Sequence, residues 1–161
     1  MEEKEKQAWR IVNKYMWLSM GAGLLPLPVV DMVGISALQL RMLQVLSKQY
    51  GVRFSRNLGK EIIGSLLGSV VPTSLNTTVG SAVKAVPVVG TVLGGISLPI
   101  FAGAATYAIG KVFVQHFESG GTFLDFEPAK VWGRFRWEFE KGQELASETH
   151  EDPAQEHPTT T

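Results

Sequence analysis

The sequence contains no cysteine among its 161 residues. This absence excludes a disulfide framework, a thiolate metal site and a cysteine nucleophile. Net charge is also absent, because fifteen basic residues balance fifteen acidic ones, so no overall positive field attracts nucleic acid. The first residues, MEEKEKQAWR, lead into no long apolar segment. We therefore expect no secretory signal and a chain that starts on the cytoplasmic side.

Recognisable catalytic and cofactor motifs are missing as well. Asp31 to Gly34 matches a DxxG pattern, but no phosphate-binding loop precedes it. The three histidines are scattered and show no metal-ligand spacing. We predict no catalytic residue, no metal site and no cofactor, and a protein that is not an enzyme.

Charged side chains are absent from Ala85 to Gly110, which is the longest uncharged stretch in the sequence. We interpret it as the segment around which the chain is organised. Pro99 lacks an amide donor, so the sequence predicts two apolar helices with a break near Ser97 to Pro99. Small residues recur at four-residue spacing, which favours close helix packing in a bundle or in a membrane. The predicted helix-packing or membrane-inserting residues are Gly64, Gly68, Gly90, Gly94, Ala104 and Ala108.

Helical periodicity marks the flanking segments. It predicts an amphipathic helix from Glu3 to Ser19, ended by a glycine and proline turn, and another that begins at Pro128. Between them we predict a helix from Pro28 to Tyr50, a basic connection over residues 51–61 and a short apolar helix from Ile62. Pro28, Asp31 and Pro87 are interpreted as helix-start residues.

These patterns predict an all-α fold, a helical bundle or set of hairpins with a Gly/Ala-rich apolar central pair and amphipathic flanking helices. The predicted domain covers residues 1–145. Residues 146–161 are polar and lack large apolar side chains, so a disordered tail is expected there.

All four tryptophans lie in the flanking segments, at Trp9, Trp17, Trp132 and Trp137. Tryptophan collects at membrane interfaces, and burial of two flanking helices explains the same placement. Basic residues on both sides of the apolar half favour an association with the cytoplasmic face of the cytoplasmic membrane, integral or peripheral.

Several short motifs resemble an uncharacterised helical family that often follows an Era-like small GTPase domain. These motifs are LPLPVVD, VPVVG, ATYAIGK and the predicted helix with Gln39 and Arg41 that ends at Tyr50-Gly51. The resemblance covers about residues 21–117. The resemblance implies an all-helical, membrane-associated module without an assigned activity. No GTPase domain lies within these residues, so a GTPase partner is expected to act in trans.

Three functions follow as hypotheses. The first is a non-enzymatic module that binds membrane lipid and a partner, either a small GTPase or further copies of itself. The second is a soluble helical bundle that holds a lipid or another apolar ligand. The third is a pore or transport component whose polar segment, Thr73 to Thr78, lines water.

Overall fold

The computed structural model describes residues 2–24, 28–70 and 98–151, and every regular element within these ranges is a helix. The helices are α1 (Glu2–Gly23), α2 (Pro28–Tyr50), α3 (Arg56–Gly68), α4 (Leu98–Glu118) and α5 (Pro128–Glu151). The predicted all-α class is confirmed. Side-chain positions are described from Gly34 onward in α2 and up to Thr149 in α5.

Local sequence explains where most of these helices begin and end. Ser55 is extended and its side chain accepts a hydrogen bond from the amide of Leu58, which caps the start of α3. Gly51 and Gly120 follow α2 and α4 with φ of 70° and 84°, in the left-handed region that glycine adopts without strain. The end of α2 at Tyr50, directly before Gly51, agrees with the predicted helix from Pro28 to Tyr50.

α4 forms the centre of the bundle, and nearly all of its residues from Ala102 to Val114 are buried. α1 packs on it in the opposite direction, since Val12 contacts Gly110 and Met20 contacts Gly103. α5 also runs opposite to α4, with Gly142 against Ala104. α1 and α5 therefore lie alongside the same helix and cover two of its sides.

α2 and α3 cover the rest of the core. α2 runs opposite to α1, because the Gln49 side chain donates a 2.6 Å hydrogen bond to the carbonyl of Lys4 near the start of α1. Its buried residues Met42, Leu43 and Leu46 join the core that α3 closes with Ile62, Ile63 and Leu66. The connection from α4 to α5 adds Phe123 and Phe126, and Phe126 stacks on Phe113 at 4.5 Å.

Three sequence predictions are corrected by these boundaries. α1 does not stop at Ser19 but continues to Gly23, because Gly23 lies directly against the backbone of Pro99. Arg56 and Lys60, predicted in a connection, are exposed residues of α3, since the Ser55 cap starts that helix earlier. α5 runs on past residue 145, where a disordered tail was expected.

The physical reason for the last correction is the size of Ala146. Its side chain is fully buried and lies near Gly103 of α4, where a larger side chain would not fit. A lack of large apolar residues therefore did not mean a lack of core contacts. Three predicted features lie outside the described residues. They are residues 152–161, the polar segment Thr73 to Thr78, and the first helix of the predicted apolar pair, with Pro87, Gly90 and Gly94.

Candidate functional site

α4 is the one helix among the described residues that is long and apolar enough to cross a membrane by length and composition. About 72% of its most apolar window is buried inside the bundle. A core helix of a water-soluble protein has the same properties. In this structure the other helices therefore shield α4 from the surroundings of the bundle.

Three buried polar side chains connect α1, α2 and α4 inside the core. The Thr106 hydroxyl donates to Ser19 Oγ at 2.9 Å and accepts from Gln39 Nε2 at 3.3 Å. All three residues are at most 1% exposed, and Gln39 Oε1 has no hydrogen-bond partner among the described residues. Because a buried polar group is costly without a partner, this chain of hydrogen bonds fixes how the three helices align.

A second cluster, here called the cation–aromatic cluster, contains Lys111 of α4 and Lys141 of α5, which are close enough for their charges to interact. Lys111 Nζ lies 3.5 Å from the ring centroid of Trp9, and Lys141 Nζ lies 3.9 Å from that of Trp137. Such contacts hold a cation against an aromatic face while leaving it partly hydrated. The cluster joins two of the predicted interfacial tryptophans to basic side chains.

Glu138 gives this cluster its acidic member. It is only 2% exposed, and its Oε1 accepts a 2.9 Å hydrogen bond from Nε of Arg134, one helical turn earlier. Removing a carboxylate from water is expensive unless a cation and hydrogen bonds compensate. Arg134 is therefore the partner that allows Glu138 to remain in the interior.

Charge is distributed unequally along the bundle. The apolar end is defined here as residues 15–23 of α1 with Leu24 after it, 34–40 of α2 and 98–110 of α4, none of which is charged. The alternating helix directions bring these three segments to the same end. The charged residues at the same end are Asp31 in the first turn of α2 and Glu144 and Glu148 of α5. The opposite, charged end carries the start of α1, the end of α2 and the connection between α4 and α5.

The charged end is held by polar contacts of its own. Tyr50 donates a 2.9 Å hydrogen bond to Glu118, and burial, followed by this bond, raises the pKa of Tyr50. The Oδ1 of Asp125 accepts from both the amide and the hydroxyl of Thr122 at 2.6 Å, which lowers the pKa of that exposed carboxyl. These contacts fix the ends of α2 and α4 and the loop that follows.

Large apolar side chains are exposed at the apolar end. Trp17 is 46% exposed, Leu18 44% and Leu24 62%, all in the last part of α1 and the residue that follows it. Leu145 of α5 is 42% exposed. At the charged end the exposed apolar residues are Leu124, in the connection after α4, and Trp132, in the first turns of α5.

The four predicted interfacial tryptophans do not form a single belt. Trp9 is half-buried beneath Lys111, whereas Trp17 lies at the apolar end. Trp132 and Trp137 are both exposed and lie five positions apart on α5, so they face different sides of that helix. The structure thus places Trp9 against Lys111 and Trp137 against Lys141, and leaves the other two tryptophans outside the cation–aromatic cluster.

Of the predicted small-residue positions that the structure describes, two are buried and two are exposed. Ala104 and Ala108 are fully buried in the core. Gly64 and Gly68 are exposed, and nothing described lies within 4 Å of where a side chain would begin. Sequence reasoning missed Gly142, whose four-residue spacing from Ala146 is the signal that would have identified this contact face.

Sequence reasoning also missed the buried polar chain of Ser19, Gln39 and Thr106. The signal available was a small number of polar residues within otherwise apolar segments. Among the described residues, no group of three or more His, Cys, Asp or Glu side chains is arranged to hold a metal ion. A shallow groove runs along α2 beside Gln44, Lys48 and Phe54.

Comparison with known proteins adds two findings. The family model described as "Domain of unknown function (DUF697)" matches residues 1–135. The chain is also 40% identical over 141 residues to "Magnetosome membrane protein 22" of Magnetospirillum gryphiswaldense, which covers 87% of this chain and 72% of that protein. No solved structure is significantly similar to the chain.

Proposed function

The chain belongs to this DUF697 family, and we propose that it is a non-enzymatic, membrane-associated helical module that binds lipid and a protein partner. The observation that carries the proposal is the relative named as a membrane protein, which matches 87% of this chain. A match of that extent spans the greater part of the helical bundle. The similarity therefore extends over most of the chain and is not limited to a short apolar segment.

The distribution of charge supports the same proposal. The exposed Trp17, Leu18 and Leu24 at the apolar end are unfavourable in water and favourable in the interfacial region of a bilayer. The charged end can stay in water at the same time. We propose the cytoplasmic face of the cytoplasmic membrane as the location.

Flotation with lipid vesicles tests the proposal. Purified protein is mixed with vesicles of phosphatidylcholine and phosphatidylglycerol and centrifuged through a density gradient. We expect it to float with the vesicles in high salt, since apolar contact is not screened by ions. Protein that stays at the bottom of the gradient, and that is found only in the soluble fraction of unwashed cell lysates, would refute membrane association.

The partner is proposed on the resemblance to modules that follow Era-like small GTPase domains. A small GTPase acting in trans is the first candidate, and self-association is the second. Co-purification of a tagged chain with an Era-like GTPase of the same genome, with the nucleotide-free and GTP-loaded forms compared, tests the first. Mass measurement by light scattering on the protein alone tests the second, and a monomer that retains no GTPase would refute both.

A second candidate function is a soluble bundle that holds a lipid or another apolar ligand. The observation that favours it is α4, whose apolar window is about 72% buried as in the core of a soluble protein. Native mass spectrometry of protein purified without detergent distinguishes the two functions. A soluble particle with a bound lipid mass that does not float with vesicles would support this candidate and contradict the first.

A further inference from the structure

We propose that the bundle contacts the bilayer end-on, with its apolar end in the lipid interface and its charged end in water. The inference rests on the proposed membrane association and adds the orientation and the contact residues. The lipid-contacting residues are then Trp17, Leu18 and Leu24.

The first argument is the coincidence of three uncharged segments. α1 runs opposite to α4, as the contacts of Val12 with Gly110 and of Met20 with Gly103 show. α2 runs opposite to α1, so residues 34–40 of α2 lie near the end of α1 and the start of α4. Three helices thus present uncharged segments at one end, and most of their charged residues lie towards the other. The exception is Asp31, in the first turn of α2.

The second argument is the sign of the charge that borders the apolar end. Counting from that end in α1, from Gly34 in α2 and in α4, the first charged residues are Lys14, Arg41 and Lys111, whereas the first in α5 are acidic. The pairings of Val12 with Gly110 and of Gln39 with Thr106 place them within about one helical turn of each other along the bundle. All three are basic, which matches the phosphate groups of a lipid surface.

The third argument is exposure. Trp17 and Leu18 are adjacent in α1, and Leu24 follows the helix, so the exposed apolar area continues past its last turn. An aromatic residue next to aliphatic ones, with basic residues a turn or more away, is the arrangement by which helices anchor in an interface.

α5 limits the depth of the contact. Glu140, Glu144 and Glu148 form an exposed acidic stripe on the side of α5 that faces away from α4. Carboxylates are not favourable in the hydrocarbon core. The bundle is therefore tilted so that α1 approaches the lipid and this stripe remains in water.

The natural absence of cysteine allows a direct test by single-cysteine labelling. Leu18→Cys and Leu24→Cys place an environment-sensitive nitrobenzoxadiazole label at the apolar end. Leu124→Cys is the matched control, an exposed leucine (88%) at the charged end. α4 separates the two ends by about 30 Å, so the labels report different depths.

With phosphatidylcholine and phosphatidylglycerol vesicles, we expect a blue shift and a several-fold rise in emission at positions 18 and 24, and neither at 124. A second measurement uses Leu18→Asp and Leu24→Asp, which should each weaken vesicle binding by about tenfold, whereas Leu124→Asp should not. All three leucines are exposed, so the substitutions leave the core unchanged.

Two outcomes separate the orientation from the proposed function. A protein that floats with vesicles while the label responds at 124, or at none of the three positions, overturns the end-on orientation and leaves membrane association intact. A protein that does not float at all overturns the proposed function and this inference with it.

Discussion

Replacing Gly142 with alanine tests the close contact between α4 and α5. A Cβ atom at this position would lie 2.8 Å from Cα and 3.0 Å from the carbonyl oxygen of Ala104. Both atoms belong to backbone, so the obstacle cannot move as a side chain would. To reach a carbon–carbon separation of about 3.5 Å, the two helices would have to move apart by roughly 0.7 Å or more.

Two opposing terms decide the sign of the effect. Alanine is a better helix former than glycine by about 1 kcal/mol, which stabilises any helix interior. Overpacking of a well-packed core costs about 1–3 kcal/mol. Since the second term equals or exceeds the first, we expect Gly142→Ala to lower the free energy of unfolding by up to about 2 kcal/mol.

Gly133 provides the matched control within the same helix. It is exposed, and nothing described lies within 4 Å of a Cβ placed there. Gly133→Ala therefore retains only the propensity term and should stabilise by up to about 1 kcal/mol. The free energies of unfolding of the two variants should therefore differ by about 1–3 kcal/mol. Each kcal/mol corresponds to roughly 2–4 °C in Tm for a chain of this size.

Urea unfolding followed by circular dichroism at 222 nm, in one buffer for all variants, measures this difference. Equal stabilisation by both alanines would show that α4 and α5 do not approach closely at Gly142, and the packing described above would be wrong. An unfolded Gly142→Ala variant beside a folded Gly133→Ala variant would agree with the expected sign.

Two further predictions concern ionisable groups. Arg134→Ala leaves the buried carboxylate of Glu138 without its 2.9 Å partner and should lower the free energy of unfolding in urea by about 1.5–3 kcal/mol. The control is Arg136→Ala, at an exposed position, which should lower it by less than about 0.5 kcal/mol. Equal losses in the two variants would contradict the role of the pair. Burial and a hydrogen bond raise the pKa of Tyr50 above 10.0, so its stabilising contribution is complete below pH 10 and is lost as pH rises above that value. Tyr50→Phe should thus be about 0.5–1.5 kcal/mol less stable at pH 7 but lose less stability between pH 9 and 11, and parallel pH profiles of the two proteins would refute this.

Local signals in the sequence predicted the helices well where the determinant is itself local. Gly51 and Gly120 end α2 and α4 because only their backbone conformation is needed, and no distant contact is involved. The start of α5 at Pro128 follows from its fixed φ and missing amide. Such features depend on a few neighbouring residues, which the sequence shows directly.

Features that depend on distant contacts could not be predicted in the same way. Gly23 normally weakens a helix, yet it remains in α1 because the backbone of Pro99 lies against it. Ala146 is buried because Gly103 leaves space for it. In both cases the partner lies far away in the chain, and neither residue by itself indicates the contact.

The candidate site shows the same division. The exposed position of Trp17 follows from its place on the polar side of an amphipathic helix, which periodicity can identify. The pairing of Trp9 with Lys111 requires that α1 and α4 be antiparallel in one particular alignment. Periodicity gives the faces of each helix but not that alignment, so the cluster emerged only from the structure.

The buried polar chain bears on how a membrane protein can have a core helix like α4. If α4 left the bundle to cross the bilayer, Gln39 and Ser19 would lose their contacts with Thr106, and α1 and α5 would expose their buried faces to water. Each polar group left buried without a partner costs about 1–3 kcal/mol, and the exposed apolar faces add to that cost. Contact through the apolar end requires neither change, because Trp17, Leu18 and Leu24 are already exposed. Membrane association and a buried α4 are therefore compatible, and the long apolar helix would serve as the core that holds the proposed contact residues in place.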